Sequence, residues 1–176
     1  MEKRIFKSFL LLCFVKFSFS QVLAQESAQA AQQLVWHTSL PEANELSQAS
    51  KKPIFAFFTG SDWCGWCKKL QNDVFAKPEF ITWAQKNVIL LELDFPRRKQ
   101  LPPELAQQNS GLQHAMGIRG FPTIWILFIT KDDTTNNFNL SPVGGPLGYP
   151  QGAELGKEQV KFLDDANKIM SLIKAN

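Results

Sequence analysis

The apolar residues of this chain gather into runs of strand length, separated by stretches with helical spacing or by polar turns. Ile54-Phe55-Ala56-Phe57-Phe58 is apolar at every position, the pattern of a strand buried on both faces of a mainly parallel sheet. Val88 to Asp94 reads as a second such strand and Ile124 to Ile129 as a third. The polar stretch KDDTTNN, 131 to 137, predicts a turn leading into Phe138 to Val143, which returns as an antiparallel hairpin strand. Ser39-Leu40-Pro41-Glu42 reads as a helix start: Ser39 is the cap, Glu42 follows at capping-box spacing, and Pro41 is tolerated in the first turn of a helix reaching about Ala49. A helical segment runs from Cys64 through Leu70 and Phe75, breaks at Pro78 and resumes with Phe80 and Trp83 up to Asn87. A further helix from Glu104 to Met116 presents Leu105, Leu112 and Met116, with Gly117 as its terminator. Gly144 to Gly156 is rich in Gly and Pro and predicts a loop. The last helix, from about Lys157, is expected to place Val160, Leu163, Ala166, Met170 and Ile173 on one face.

A strand, a helix and a second strand in this order should form a right-handed parallel crossover. That crossover places the end of the second strand on the sheet edge that carries Cys64, and with it the basic loop Phe95 to Pro103, containing Arg97, Arg98 and Lys99. The 176 residues, 44% of them hydrophobic, suffice for one domain with a real core. The folded part is expected over 34–176. Residues 1–24 read as a secretory signal: Lys3, Arg4 and Lys7 precede an apolar run, Phe9 to Phe19, too short to span a membrane, and cleavage fits after Ser20 or after Ala24. QESAQAAQQ, 25–33, has no large apolar residue and reads as a flexible leader. There is no internal repeat.

Composition sharpens this picture in two places. Removing Glu2, Lys3, Arg4, Lys7 and Lys16 with the signal leaves 15 basic and 15 acidic residues, so the precursor's net charge of +3 is mostly targeting charge and offers no footprint for nucleic acid. Cys13 also leaves with the signal, and the remaining pair, Cys64 and Cys67, forms a single C-x-x-C in a chain bound for an oxidising compartment. Structural disulfides would use more cysteines at wider spacing, so redox chemistry is the natural reading. His37 and His114 stand alone and far apart, so no metal site and no cofactor is expected.

SDWCGWCKKL, 61–70, resembles the active-site motif of the thioredoxin family, with Trp63 at the position of that family's tryptophan before the first cysteine. Gly120-Phe121-Pro122-Thr123 resembles its cis-proline loop. The resemblance implies an α/β thioredoxin fold, a central mixed sheet of four to five strands flanked by helices. KPIFAFFTGSDWCGWCKKLQNDVF, 52–75, is most similar to exported bacterial thioredoxin-like proteins and to the C-terminal domain of DsbD-type transmembrane reductases. That similarity favours the periplasm of a Gram-negative bacterium, with the extracellular space as the alternative. The chain departs from the family pattern in its Gly-Trp dipeptide between the cysteines and in Phe58, which takes the place of the family's buried aspartate.

A cysteine reacts as its thiolate, and at a helix N-terminus free amides and the helix dipole stabilise that anion. Cys64 is therefore expected to be the nucleophile and Cys67, one turn later and less accessible, the resolving thiol. Glu92 is the candidate for moving the resolving thiol's proton through water; a plain surface carboxylate is the competing reading. Trp63, Trp66, Phe121 and Pro122, the last in cis, are expected to line a substrate groove, with core packing as the alternative for the rings. Arg97-Arg98-Lys99 suits an acidic partner, although a short charge run is more often a solvated turn. The expected partners are disulfide-containing proteins and an electron-supplying redox protein such as a DsbD-type membrane reductase, the chain itself acting as a monomer. Disulfide reduction leads the functional readings, with isomerase, oxidase and a soft-metal (copper) carrier using the same two sulfurs as alternatives.

Overall fold

The computed structural model describes residues 33–132, 134 and 137–173. The expected signal of residues 1–24, all of the leader except Gln33, and Asp133, Thr135 and Asn136 of the expected turn lie outside the described residues. The order of elements is β1 (Trp36–His37), α1 (Leu40–Ser50), β2 (Ile54–Thr59), α2 (Gly65–Leu70), a π-helical turn (Gln71–Phe75), α3 (Pro78–Asn87), β3 (Ile89–Asp94), α4 (Pro103–Ala115), β4 (Thr123–Asp132), β5 (Asn137–Leu147) and α5 (Glu158–Ile173). The five strands form one sheet in the order β1-β3-β2-β4-β5. β1 and β2 run parallel to β3, while β4 runs antiparallel to β2 and β5.

All six residues of β2 are buried, as an apolar run in mid-sheet requires. Alternation along β2 sends Phe55 and Phe57 to one face and Ile54, Ala56 and Phe58 to the other. The first face packs against α2, the π turn, α3 and α5. It is dense in aromatic rings: Phe57 meets Phe75 edge-on at 5.1 Å between centroids, Phe75 stacks on Phe80 at 4.6 Å, and Phe162 of α5 closes on Phe55 at 6.2 Å. Each such ring contributes on the order of 1.5–3 kcal/mol by leaving water. The second face is mainly aliphatic, with Leu40 and Ala43 of α1 and Leu112 of α4 covering Ile54, Ala56, Leu91, Leu93, Leu127 and Ile129.

Four expectations change. Trp36–His37 adds an edge strand that two residues without periodicity could not announce; it is fixed by Trp36 packing on Phe55, Phe57 and Phe75. β5 continues through Gly144, Gly145 and Pro146, where a loop was expected. A Cβ at Gly144 would sit 2.9 Å from Ile169, and one at Gly145, whose φ is +144°, 3.0 Å from the Trp125 ring, so glycine lets a strand pass where a side chain would not fit. The face that α5 buries is centred on Phe162 and Ala166, and Val160, expected inside, is 46% exposed. Finally, Phe58 lies in the layer away from the cysteines; Phe57 is the residue of β2 on their side. The family's buried-acid position cannot be found by counting back from Cys64, because period-two alternation fixes the face.

Candidate active site

β2 ends at Thr59, and the chain turns through Gly60 to Trp63 before α2. The amides of Trp63 and Cys64 both donate to the Gly60 carbonyl, at 3.2 and 2.8 Å. Gly60 is required by close approach, since a Cβ there would lie 2.5 Å from the Trp63 indole. The turn is held from β3 by Asp94, whose carboxylate accepts from the Ser61 amide at 2.8 Å and the Ser61 hydroxyl at 2.6 Å and pairs with Lys99 at 3.0 Å.

Cys64 is the N-cap of α2, and its Sγ accepts from the Cys67 amide at 3.2 Å. The two sulfurs are joined as a disulfide, with Cα atoms 5.3 Å apart. Cys67 has no exposed surface, whereas Cys64 keeps 5%. The helix that carries them continues unbroken into the π turn, where the Gln71 amide donates to the carbonyls of Cys67 and Lys68.

The two flanking tryptophans have different surroundings. Trp63 is half-buried: its Nε1–H donates to the Phe95 carbonyl at 2.8 Å, its ring makes a T-shaped contact with Phe121 at 5.9 Å, and the Arg97 guanidinium lies 3.7 Å above it. Phe121 in turn stacks on Phe95 at 5.1 Å. Trp66 is 53% exposed and touches Tyr149 at 5.2 Å. Tyr149 donates to Asp73 at 2.8 Å and is hydrogen-bonded to Lys69, which also pairs with Asp73 and lies over the Tyr149 ring. These bonds hold the Asp73 carboxyl below its usual range, chiefly through Lys69, and raise the Lys69 ammonium, chiefly through Asp73.

The 95–99 loop is stitched to the active-site turn. The Phe95 amide donates to Thr59 at 2.8 Å, and Asp62 accepts from the Arg97 amide at 3.0 Å and the Arg98 amide at 2.7 Å. The Arg97 amide is the leading reason the Asp62 carboxyl lies below its ordinary value. On the far side the Phe121–Pro122 bond is cis, and Thr123 Oγ1 donates to the Gly120 carbonyl at 2.7 Å.

Glu92 sits opposite Phe57 on β3, so alternation puts it on the face of the sheet that carries the cysteines. Partial burial, reinforced by the negative charge of Asp94 and opposed by Lys99, raises its carboxyl above the usual range. It has no side-chain hydrogen bond among the described residues, to either cysteine or elsewhere. Sequence pattern assigned no role to Asp62, Asp94 or Tyr149, whose partners here are long-range. The one local signal was an acidic residue, Asp94, closing a strand that is apolar apart from Glu92. Among the described residues no group of three or more His, Cys, Asp or Glu could hold a metal ion, and no helix is long and apolar enough to cross a membrane.

The chain is 40% identical over 102 residues to the disulfide bond reductase DsbH of Chlamydia pneumoniae, a match that covers 58% of this chain and 61% of that protein. It is 31% identical over 94 residues to the thioredoxin-related protein DsbJ of the same organism, covering 53% of this chain and 27% of DsbJ. The chain thus spans less than two thirds of the length of these curated relatives. Among solved structures, a DsbH oxidoreductase superposes with a TM-score of 0.61 at 30% identity, over 82% of this chain and 87% of the other. A thioredoxin from Thermus thermophilus superposes with a TM-score of 0.52 at 17% identity, over 78% and 87%, a likeness of fold. The profile of the thioredoxin-like domain family matches residues 40–133, more than half of the sequence and including both cysteines, the 95–99 loop and the cis-proline turn, and the chain belongs to that family.

Proposed function

We propose that the protein is an exported thiol–disulfide oxidoreductase that reduces disulfides in protein substrates, with residues 1–24 as its signal, 25–33 as a leader and 34–176 as the working domain. The observation that carries this reading is the asymmetry of the pair: Cys64 is the outer sulfur at the first turn of α2, and Cys67 is sealed beneath it. In the reduced protein the Cys64 thiolate attacks a substrate disulfide. One substrate sulfur leaves as a thiolate and takes up a proton, and the other stays joined to Cys64. Cys67 then loses its proton and attacks the Cys64 sulfur, which releases the second substrate thiol and closes the Cys64–Cys67 bond. Two electrons pass from protein to substrate, and a redox partner, such as a DsbD-type membrane reductase, restores the dithiol.

Glu92 is the acceptor of the Cys67 proton, through water. Support comes from its place on the dithiol's side of the sheet and from burial that raises its carboxyl toward the range where a base is useful. Trp66, the most exposed ring beside the cysteines, meets the substrate first, while Trp63, Phe121 and the cis Pro122 shape the rest of the groove. The protein acts as a monomer in the periplasm, a placement that rests on the targeting pattern at its start.

The test is trapping. Cys67→Ser should accumulate a mixed disulfide through Cys64, and Cys64→Ser should accumulate none. Equal trapping by the two variants, or by neither, would remove the assignment of roles.

A further inference from the structure

We infer that the loop carrying Arg97 and Arg98 is a fixed cationic rim that selects disulfides flanked by negative charge, an inference that rests on Cys64 being the attacking sulfur. A short basic run is ordinarily a solvated turn whose charges average over many positions. This one is held at both ends. The Phe95 amide is bound to Thr59, the Phe95 carbonyl to the Trp63 indole, and the Arg97 and Arg98 amides to the Asp62 carboxylate. The Arg97 guanidinium rests 3.7 Å above the Trp63 ring, one residue from Cys64 in sequence. A guanidinium stacked on an aromatic face keeps its hydrogen-bond donors at the ring's edge free for a carboxylate.

The charge is also left unspent. Arg97, Arg98 and, two residues before Phe121, Arg119 are exposed, and among the described residues none of them is in an ion pair. Lys99 is committed to Asp94. The carboxylates that face the loop are Asp94, paired with Lys99, Asp62, turned to backbone amides, and Glu92, whose charge acts on Lys99, so none of the three forms an ion pair with Arg97 or Arg98. The exported chain as a whole is balanced, with 15 basic and 15 acidic residues, so the positive rim is local to the dithiol and is not a reflection of overall basicity. A substrate carboxylate within about 10 Å of two such cations is favoured at low ionic strength, and the advantage disappears as the Debye length shrinks to about 3 Å near 1 M salt. Acidic residues beside a substrate's disulfide would thus be drawn to the Trp63 side of the site, with the Trp66 side left to apolar contact.

Three small disulfides of similar size test this: dithiodiglycolate (dianionic), hydroxyethyl disulfide (neutral) and cystamine (dicationic). Each oxidises the reduced protein in a single turnover at neutral pH, followed by acid quench and alkylation, and each rate is divided by that of the same disulfide with mercaptoethanol to remove intrinsic reactivity. The expected order is anionic, neutral, cationic, with about three- to tenfold between the extremes at low salt and a ratio falling toward one in about 1 M salt. Arg97→Gln with Arg98→Gln should flatten the series, read as ratios within the variant. Equal normalised rates in the wild-type protein, or a charge order unchanged in a folded double variant, would overturn the inference and leave the oxidoreductase reading standing. Failure to reduce even the neutral disulfide would overturn both. Should the double variant not fold, the salt series on the wild-type protein decides, and a ratio that ignores salt rejects the rim.

Discussion

Two tryptophans flank the same disulfide and have been put to different ends by the fold. Trp63 is built into the scaffold: its underside lies on Gly60, its N–H is bound to Phe95, it makes a T-shaped contact with Phe121 and it is roofed by Arg97. Trp66 stands on the exposed side of α2 with, among the described residues, only Tyr149 beside it at ring-contact distance. Amino-acid type and distance in sequence from a cysteine are nearly the same for both, so these cannot explain the difference. What separates them is the number of distant segments that converge on each. Rings held from several sides position a neighbouring cysteine; a ring held from one side is available to a partner.

The contrast makes an ordered set of expectations. Trp63→Ala removes a ring that several segments pack on and leaves the Phe95 carbonyl short of a donor, and should lower unfolding free energy by about 2–4 kcal/mol in urea denaturation. Gly60→Ala forces a methyl group into the Trp63 ring and should cost about 1–3 kcal/mol by the same measurement; a neutral result would mean that the indole does not lie on this turn. Trp63→Phe keeps an aromatic ring but deletes the N–H and the second ring of the indole, so a loss of about 1–2 kcal/mol is expected. Trp66→Ala should shift stability by no more than about 0.5 kcal/mol while slowing reduction of protein disulfides severalfold. Matching stability losses at the two tryptophans would erase the comparison.

The smallest effect lies on the dithiol's side of the sheet, at Glu92. Burial and the neighbouring Asp94 raise its carboxyl in the folded protein, so the fold favours the protonated acid. Its contribution to stability is therefore fully present below the ordinary glutamate range and is lost as pH rises through the raised value. Glu92→Gln, fixed in the neutral form, should equal the wild-type protein in acid and gain on it toward neutral pH, by on the order of 0.5 kcal/mol. A stability difference that does not vary with pH would show that Glu92 is not buried as described. If Glu92 also accepts the Cys67 proton, the pH profile of mixed-disulfide resolution should shift in the same variant.

Much of the scaffold is legible in the sequence. Ile54–Phe58 and Val88–Asp94 could hardly be anything but buried strands, and the Ser39 cap with Pro41 inside the first turn marks where α1 starts. The less legible parts share one feature. The edge strand at Trp36 exists because Phe55, Phe57 and Phe75 make a surface for it. β5 runs through two glycines because Trp125 and Ile169 press against them. The buried face of α5 follows Phe162, although a stripe through Val160 satisfied the same spacing.

The sequence by itself determined where most strands and helices begin, that two cysteines share one helical turn, and that a proline turn precedes the strand from Ile124, because apolar runs, caps and motif spacing act between residues close along the chain. Only the tertiary structure decided which face of β2 looks at the cysteines, which tryptophan is locked and which is free, and that a basic loop is pinned beside the dithiol. Those outcomes depend on partners such as Phe95, 32 residues from Trp63, that meet only when the sheet brings its crossover ends together.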